Sequence, residues 1–490
     1  MRKAFLAVLL LTSTLATAQK KKGPDISEII RPEEIEAHLS FLAADEMRGR
    51  NAGSPEIEIA ANYISSNFKR EGLKPVGGAE DYFQKVDLVK LAAPTYGKAL
   101  IGDKEFNLKE NLLIIDGDSM SWSGDLIYVG YGSEEDLKNV DIKGKMVLAL
   151  AGAKDADMLN KVMNASSQKL KNVRDAGGAG LVEFLVLPQA PWPTLVNYLS
   201  QSSWSIRRSG AIIPHVFLKP ADIASLSLQE NQTIKGSINI SGKKRIPVPG
   251  KNVAGLVEGT DSRLKDEYIV VTAHYDHIGV GKSKDGQDSI FNGARDNAVG
   301  VTALMQTAKY LRANRPKRSV LLIALTSEEK GLLGSKWYTE NPLIPLNKTV
   351  LSINCDGVGY NDKSILTSIS WGRTSADAVV AKAAKSFGLG VGGDPDPKEG
   401  FFERSDQVSF ASKGVVAIKL QPGLARMDEE IRKYYHRQAD EVSSLDFDYL
   451  SKFYKAFVTA VHLLANEPGK YSWNKGDKYE EVSRKLYGVE

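Results

Sequence analysis

Residues 268–279 read YIVVTAHYDHIG. Tyr268–Thr272 is β-rich and almost wholly apolar, the pattern of a strand covered on both faces. Directly after it come His274, Asp276 and His277 in a chain with only six histidines. A strand that ends in metal-capable side chains implies an open α/β sheet, because ligands of such sheets bind beyond the carboxyl ends of the strands.

The same pattern recurs downstream. Val320–Leu325 is a second apolar strand and is followed by Ser327-Glu328-Glu329. Val350–Asn354 is a third and precedes Asp356, with the single cysteine, Cys355, between them. Val415–Leu420 is a fourth, and His436 follows it within KYYHRQAD, residues 433–440. Asp296 lies in FNGARDNAVG, residues 291–300, just before a helix over Val299–Asn314. Alternating strands and helices predict an α/β three-layer sandwich around a mostly parallel mixed sheet. So many carboxylates at neighbouring strand ends repel one another unless a cation joins them. Mixed imidazole and carboxylate donors suit zinc better than calcium or magnesium.

The order HYDH, GARDNAVG, SEEKGLLGS, NCDGVGY and YYHRQAD resembles the M28 family of zinc metallopeptidases, the aminopeptidase class with two co-catalytic zincs. The resemblance covers about residues 250–466, with 25–90 as the first part of the same zinc exopeptidase-like domain. It implies two Zn2+ per chain. Asp296 bridges them, His274 and Asp356 complete one site, and Glu329 and His436 complete the other. It further implies that Glu328 is the general base acting on a metal-activated water, that Tyr435 stabilises the oxyanion, and that the Asp296–Asn297 peptide is cis. Asp276 is expected to hydrogen-bond the His274 ring and fix its tautomer, as carboxylates behind metal ligands do. His277 is read as a neighbour lining the cleft. The implied activity is hydrolysis of N-terminal residues from peptides. Carboxypeptidase action and a glutaminyl cyclase-like reaction remain alternatives on the same fold.

Three departures from the family pattern stand out. Arg295 precedes Asp296 and is expected to bring positive charge near the site. Gln407 replaces a histidine in ERSDQVSF, residues 403–410, and HRQAD lacks a proline.

Between residues 91 and 247 short β-like runs alternate with turns around one helical stretch near Lys161–Asp175. LIYVGYG, IKGKMVLAL, AGGAGLVEF and IPHVFL in this region resemble an inserted protease-associated (PA) domain. Residues 19–90 and 248–468 then make the peptidase domain, and 469–490 form a polar C-terminal tail.

Composition narrows the partners. Charged residues are 25% and hydrophobic ones 42%, ordinary for a globular protein, and the net charge of +4 predicts no nucleic-acid partner. No later run is long enough to span a membrane. MRKAFLAVLLLTSTLATAQ has the basic start, apolar stretch and small-residue cleavage site of a secretory signal. Residues 1–18 are therefore expected to direct export through the Sec pathway to the periplasm or beyond. One cysteine forms no internal disulfide, so the packed core must supply stability. His38 and His462 are read as surface or satisfied core, and His215 as structural.

Overall fold

The computed structural model describes residues 25–77, 81–207, 210, 212–219, 228–282 and 288–489. The secretory-signal expectation, residues 1–18, lies outside them. Among the described residues no helix is long and apolar enough to cross a membrane.

The main sheet has eight strands: β1 (Phe83–Lys85), β2 (Lys251–Val257), β3 (Tyr268–His274), β4 (Ser319–Leu325), β5 (Thr349–Cys355), β6 (Ile365–Ser368), β7 (Gly390–Gly392) and β8 (Ala417–Pro422). Their spatial order is β1-β2-β4-β3-β5-β8-β6-β7. The sheet is mixed. Its centre, β4-β3-β5-β8, is parallel throughout, while β1, β2 and β6 pair antiparallel to a neighbour. Every residue of β4 and β5 is buried, which is why their sequences show no alternation.

Helices cover both faces. α1 (Pro32–Leu42) and α2 (Pro55–Arg70) each start with proline at the first helical position, where its missing N–H costs nothing. α2 buries Ile57, Ala60, Ala61, Ile64 and Phe68, one face at helical spacing. α3 (Val299–Ala313) and α4 (Leu333–Glu340) follow, and then the long α5 (Phe447–Asn466). The final residues are tied to this core. Tyr471, Trp473 and Tyr479 are buried, and the Arg373 guanidinium lies 4.1 Å from the Phe402 ring centre while pairing with Asp477 at 2.8 Å.

A second eight-stranded mixed sheet is built wholly from strands between Gly97 and Ile240. It has its own apolar core, including Phe106, Leu126, Leu148, Val182 and Val216. A small three-stranded sheet, from Leu88–Leu91, Ser203–Ile206 and Arg245–Val248, sits where the chain passes between the two. His215 is buried in this second unit, its Nε2 2.6 Å from Glu183, which also receives Lys169 at 2.6 Å. The buried carboxylate thus has two partners.

His38 is a buried histidine on α1, its Nδ1 2.8 Å from the Tyr63 hydroxyl. Burial is the main force that lowers its pKa from 6.5 to about 4. The folded state therefore favours the neutral ring. Stability is unaffected above pH 6.5 and falls as the pH drops from 6.5 towards 4, where the unfolded chain takes up the proton first. The shift caps the loss at about 3 kcal/mol. Denaturant titrations at pH 7 and pH 4.5 check this, and His38→Gln should flatten the difference.

Candidate metal centre

The ends of β3, β4 and β5 lie side by side, and the polar residues after them converge. His274 is the last residue of β3 and is 1% exposed. Its Nδ1 donates to the Asp276 carbonyl oxygen at 3.1 Å, which leaves the Nε2 lone pair free for a cation. That Nε2 lies 3.2 Å from both Asp296 Oδ1 and Asp356 Oδ1. On the other side His436 Nε2 lies 3.2 Å from Asp296 Oδ2 and 3.3 Å from Glu329 Oε2. Asp296 therefore turns one oxygen to each histidine.

Two groups of donors result, each close enough to share one ion: His274, Glu328 and Asp356, and His277, Asp296 and Glu329. All five residues expected as ligands meet here, together with Glu328. The unexpected member is His277. It is fully buried rather than lining the cleft, with Nδ1 2.8 Å from Glu329 Oε1. The two atoms are misaligned for a hydrogen bond, and both ring nitrogens of His277 and Glu329 Oε1 are buried without a partner among the described residues. Orphaned donors and acceptors of this kind fit a cation between them.

Asp276 acts differently from expectation. Its carboxylate is 3.9 Å from His274 Nδ1, and the tautomer is set by its main-chain carbonyl instead. The carboxylate accepts the backbone N–H groups of Glu328 at 3.0 Å and Glu329 at 3.2 Å. Asp276 thus holds the turn that sends the two glutamates in different directions. Ser327 and His436 sit at φ of 57° and 55°, a left-handed region that non-glycine residues occupy at a cost and that clusters at functional sites. The Asp296–Asn297 peptide is cis. Gly293, at φ of 64°, is required, because a Cβ there would strike the Asp296 carbonyl and the His277 ring.

Charge is managed by neighbours. Burial raises the pKa of Glu328 well above the usual range. Burial also opposes ionisation of Glu329, but His277 and His436 outweigh it and hold Glu329 well below that range. Burial disfavours the His436 cation, yet Asp296 and Glu329 raise its pKa to about 10. Asp440 accepts the backbone N–H groups of Arg295 at 2.8 Å and Asp296 at 3.1 Å, fixing the loop that carries the shared carboxylate.

Arg50, 1% exposed, ties the same loops together. It donates to the carbonyls of Leu42, Tyr275, Asn292 and Gly293. Arg295 does not face the cluster. Its guanidinium stacks 3.7 Å from the Tyr434 ring centre and bonds the Ser444 carbonyl at 2.7 Å, away from the cleft. Gln407 accepts from Asn354 Nδ2 at 3.0 Å and so stiffens the strand end that bears Asp356.

The cluster opens into a cleft of about 560 Å³. Tyr435 lines it, its ring stacked 4.1 Å from that of His436. Asn160 and Tyr198, from the unit carrying the second sheet, line it as well. Three participants escaped sequence reasoning. Asp440 follows His436 in the same loop and was detectable only as one more acid. Arg50 is remote in sequence. Lys419 lies in the wall within a run read as purely apolar, and its charge was the available signal.

Asp276→Asn should weaken zinc binding by about 10- to 100-fold, the usual cost of losing a group behind the ligands. Competition against a chelating dye measures it. Arg50→Met strands several carbonyls and should cost roughly 3 kcal/mol of stability, read by urea unfolding.

Residues 252–461 match Peptidase family M28. Aminopeptidase YwaD of Bacillus subtilis is 25% identical over 69% of this chain and 66% of its own length. A vacuolar membrane protease of Pyrenophora tritici-repentis is 24% identical over 51% of this chain and 25% of its own length. The matches thus span a quarter of the fungal protein and just under two-thirds of the bacterial one. Among solved structures, an aminopeptidase from Aneurinibacillus sp. strain AM-1 superposes with a TM-score of 0.54, covering 91% of this chain and 96% of that one at 19% identity, which establishes likeness of fold. The part of the chain that bears the His-Asp-Glu cluster is therefore the part that is similar to peptidase family M28.

Proposed function

We propose that the protein is a zinc-dependent exopeptidase that releases N-terminal residues from peptides. The observation that carries this is Asp296, whose two carboxylate oxygens face different histidines and so join two donor groups at adjacent strand ends. His274 and Asp356 would hold one zinc, Glu329 and His436 the other, and Asp296 both. Zinc ions bound there lower the pKa of water and polarise a scissile carbonyl.

The chain's own groups supply the rest. Glu328 stands beside His274 and Asp356, faces the cleft, and serves as general base, taking a proton from the attacking water and delivering it to the leaving amine. Burial favours its neutral form, so the carboxyl holds the proton between those two events. Glu329, one residue on, stays ionised as a ligand. Tyr435 lines the same cleft and would donate its hydroxyl to the developing oxyanion. His277 backs Glu329 rather than meeting substrate.

The unit over residues 91–247 serves as the PA-type insert. Asn160 and Tyr198, which line the cleft, support a role for it in restricting substrates to short peptides. Export through the Sec pathway completes the reading and rests on the character of residues 1–18.

Glu328→Gln should lower kcat by at least about 1000-fold with zinc content unchanged, the scale of removing a positioned general base and its charge. Near-normal turnover would contradict its role. Peptides blocked at one end or the other test polarity. Cleavage should survive a blocked carboxyl terminus and vanish with an acetylated amine; the reverse indicates a carboxypeptidase.

A further inference from the structure

Lys419 is the third residue of β8, between Ile418 and Leu420, both buried. The lysine itself is 5% exposed. A buried ammonium is costly unless its donors are used. Among the described residues Nζ has one hydrogen-bond acceptor, Asp356 Oδ2 at 3.0 Å. An ammonium has three donors, so two are unspent, and the side chain lines the same cleft as His274, Glu328 and Tyr435. Asp356 has a second partner for that oxygen, the Ser405 hydroxyl, and its other oxygen faces His274. Positioning of Asp356 therefore does not account for all of Lys419.

The surrounding wall has the same sign. Arg404 is exposed in the cleft and makes no ion pair among the described residues. Lys336 lines it too, its ammonium capped by the Gly331 carbonyl at 2.9 Å. Glu403, the acidic residue of the wall outside the metal cluster, is taken up by Lys478 at 2.5 Å. The remaining carboxylates belong to the candidate metal cluster, where zinc would offset their charge. What is left facing a substrate is cationic.

We propose that the cleft selects an acidic residue, aspartyl or glutamyl, at the position being released. Lys419 receives the side-chain carboxylate next to the metal cluster, and Arg404 supplies a second cation at its edge. This specificity rests on the exopeptidase reading above. A carboxylate bridging to a buried ammonium gains more than a neutral side chain, because charge-assisted bonds are the stronger ones and the cation is already desolvated.

The test compares isosteric ligands that differ in charge. Full-length zinc-loaded protein is titrated by calorimetry with L-glutamate and L-glutamine, while turnover of glutamyl-, glutaminyl- and leucyl-peptides is measured in parallel. Glutamate should bind at least tenfold more tightly than glutamine, and glutamyl peptides should be cleaved with the highest kcat/KM. Lys419→Met should bring the glutamate-to-glutamine ratio towards one, and the surface change Arg404→Gln should lower it in a protein whose folding is not at risk. Equal binding of both ligands by the wild type overturns the proposal. So does a Lys419→Met protein that loses zinc, or loses both ligands equally, since Lys419 would then be only the counter-ion of Asp356. A glutamate preference without hydrolysis of any peptide supports the pocket and overturns the exopeptidase reading.

Discussion

The structure is organised by the mutual repulsion of buried carboxylates. Buried Asp296 and Asp356 come together with half-buried Glu328 and Glu329, an arrangement that isolated charges would not tolerate. Three histidines and Lys419 answer them from within the cluster, and Arg50 from behind it. The parallel centre of the sheet makes the convergence possible. Neighbouring strands running the same way deliver their following loops to one edge, so residues 82 positions apart, His274 and Asp356, meet at 3.2 Å. Asp276 and Asp440 then spend their carboxylates on main-chain N–H groups, fixing loops whose own φ values are unfavourable.

The fold was legible because buried strands leave runs such as Val320–Leu325 that have no other economical reading. The candidate site was legible because His274, Glu328, Glu329 and Asp356 directly follow those runs, while Asp296 and His436 sit in loops recognisable by the motifs around them. The direction of side chains was not. Asp276 was expected to use its carboxylate on the His274 ring, but the main chain turns that carbonyl to the ring and frees the carboxylate for the Glu328 turn. His277 was read as a neighbour lining the cleft. The chain leaves the strand at Tyr275, however, and His277 turns inward to Glu329. Arg295 was expected near the cluster, and two tyrosine rings hold it elsewhere.

Lys419 carries the plainest lesson. Within VVAIKLQPG one lysine is easily absorbed into an apolar average, yet a charge in the middle of a buried strand demands a partner. Its partner is Asp356, a carboxylate of the candidate metal cluster, and its side chain lines the cleft. A buried ion that interrupts an otherwise uniform strand thus marks a wall of the site, just as the acids at the strand ends mark its floor.

The central claim is that Asp296 joins two metal positions. Anomalous diffraction at the zinc edge from crystals of the zinc-loaded protein tests it most directly. The account predicts two peaks about 3.5–4 Å apart with Asp296 between them, one beside His274 and Asp356 and the other beside Glu329. A single peak, or two peaks that do not share Asp296, would contradict it.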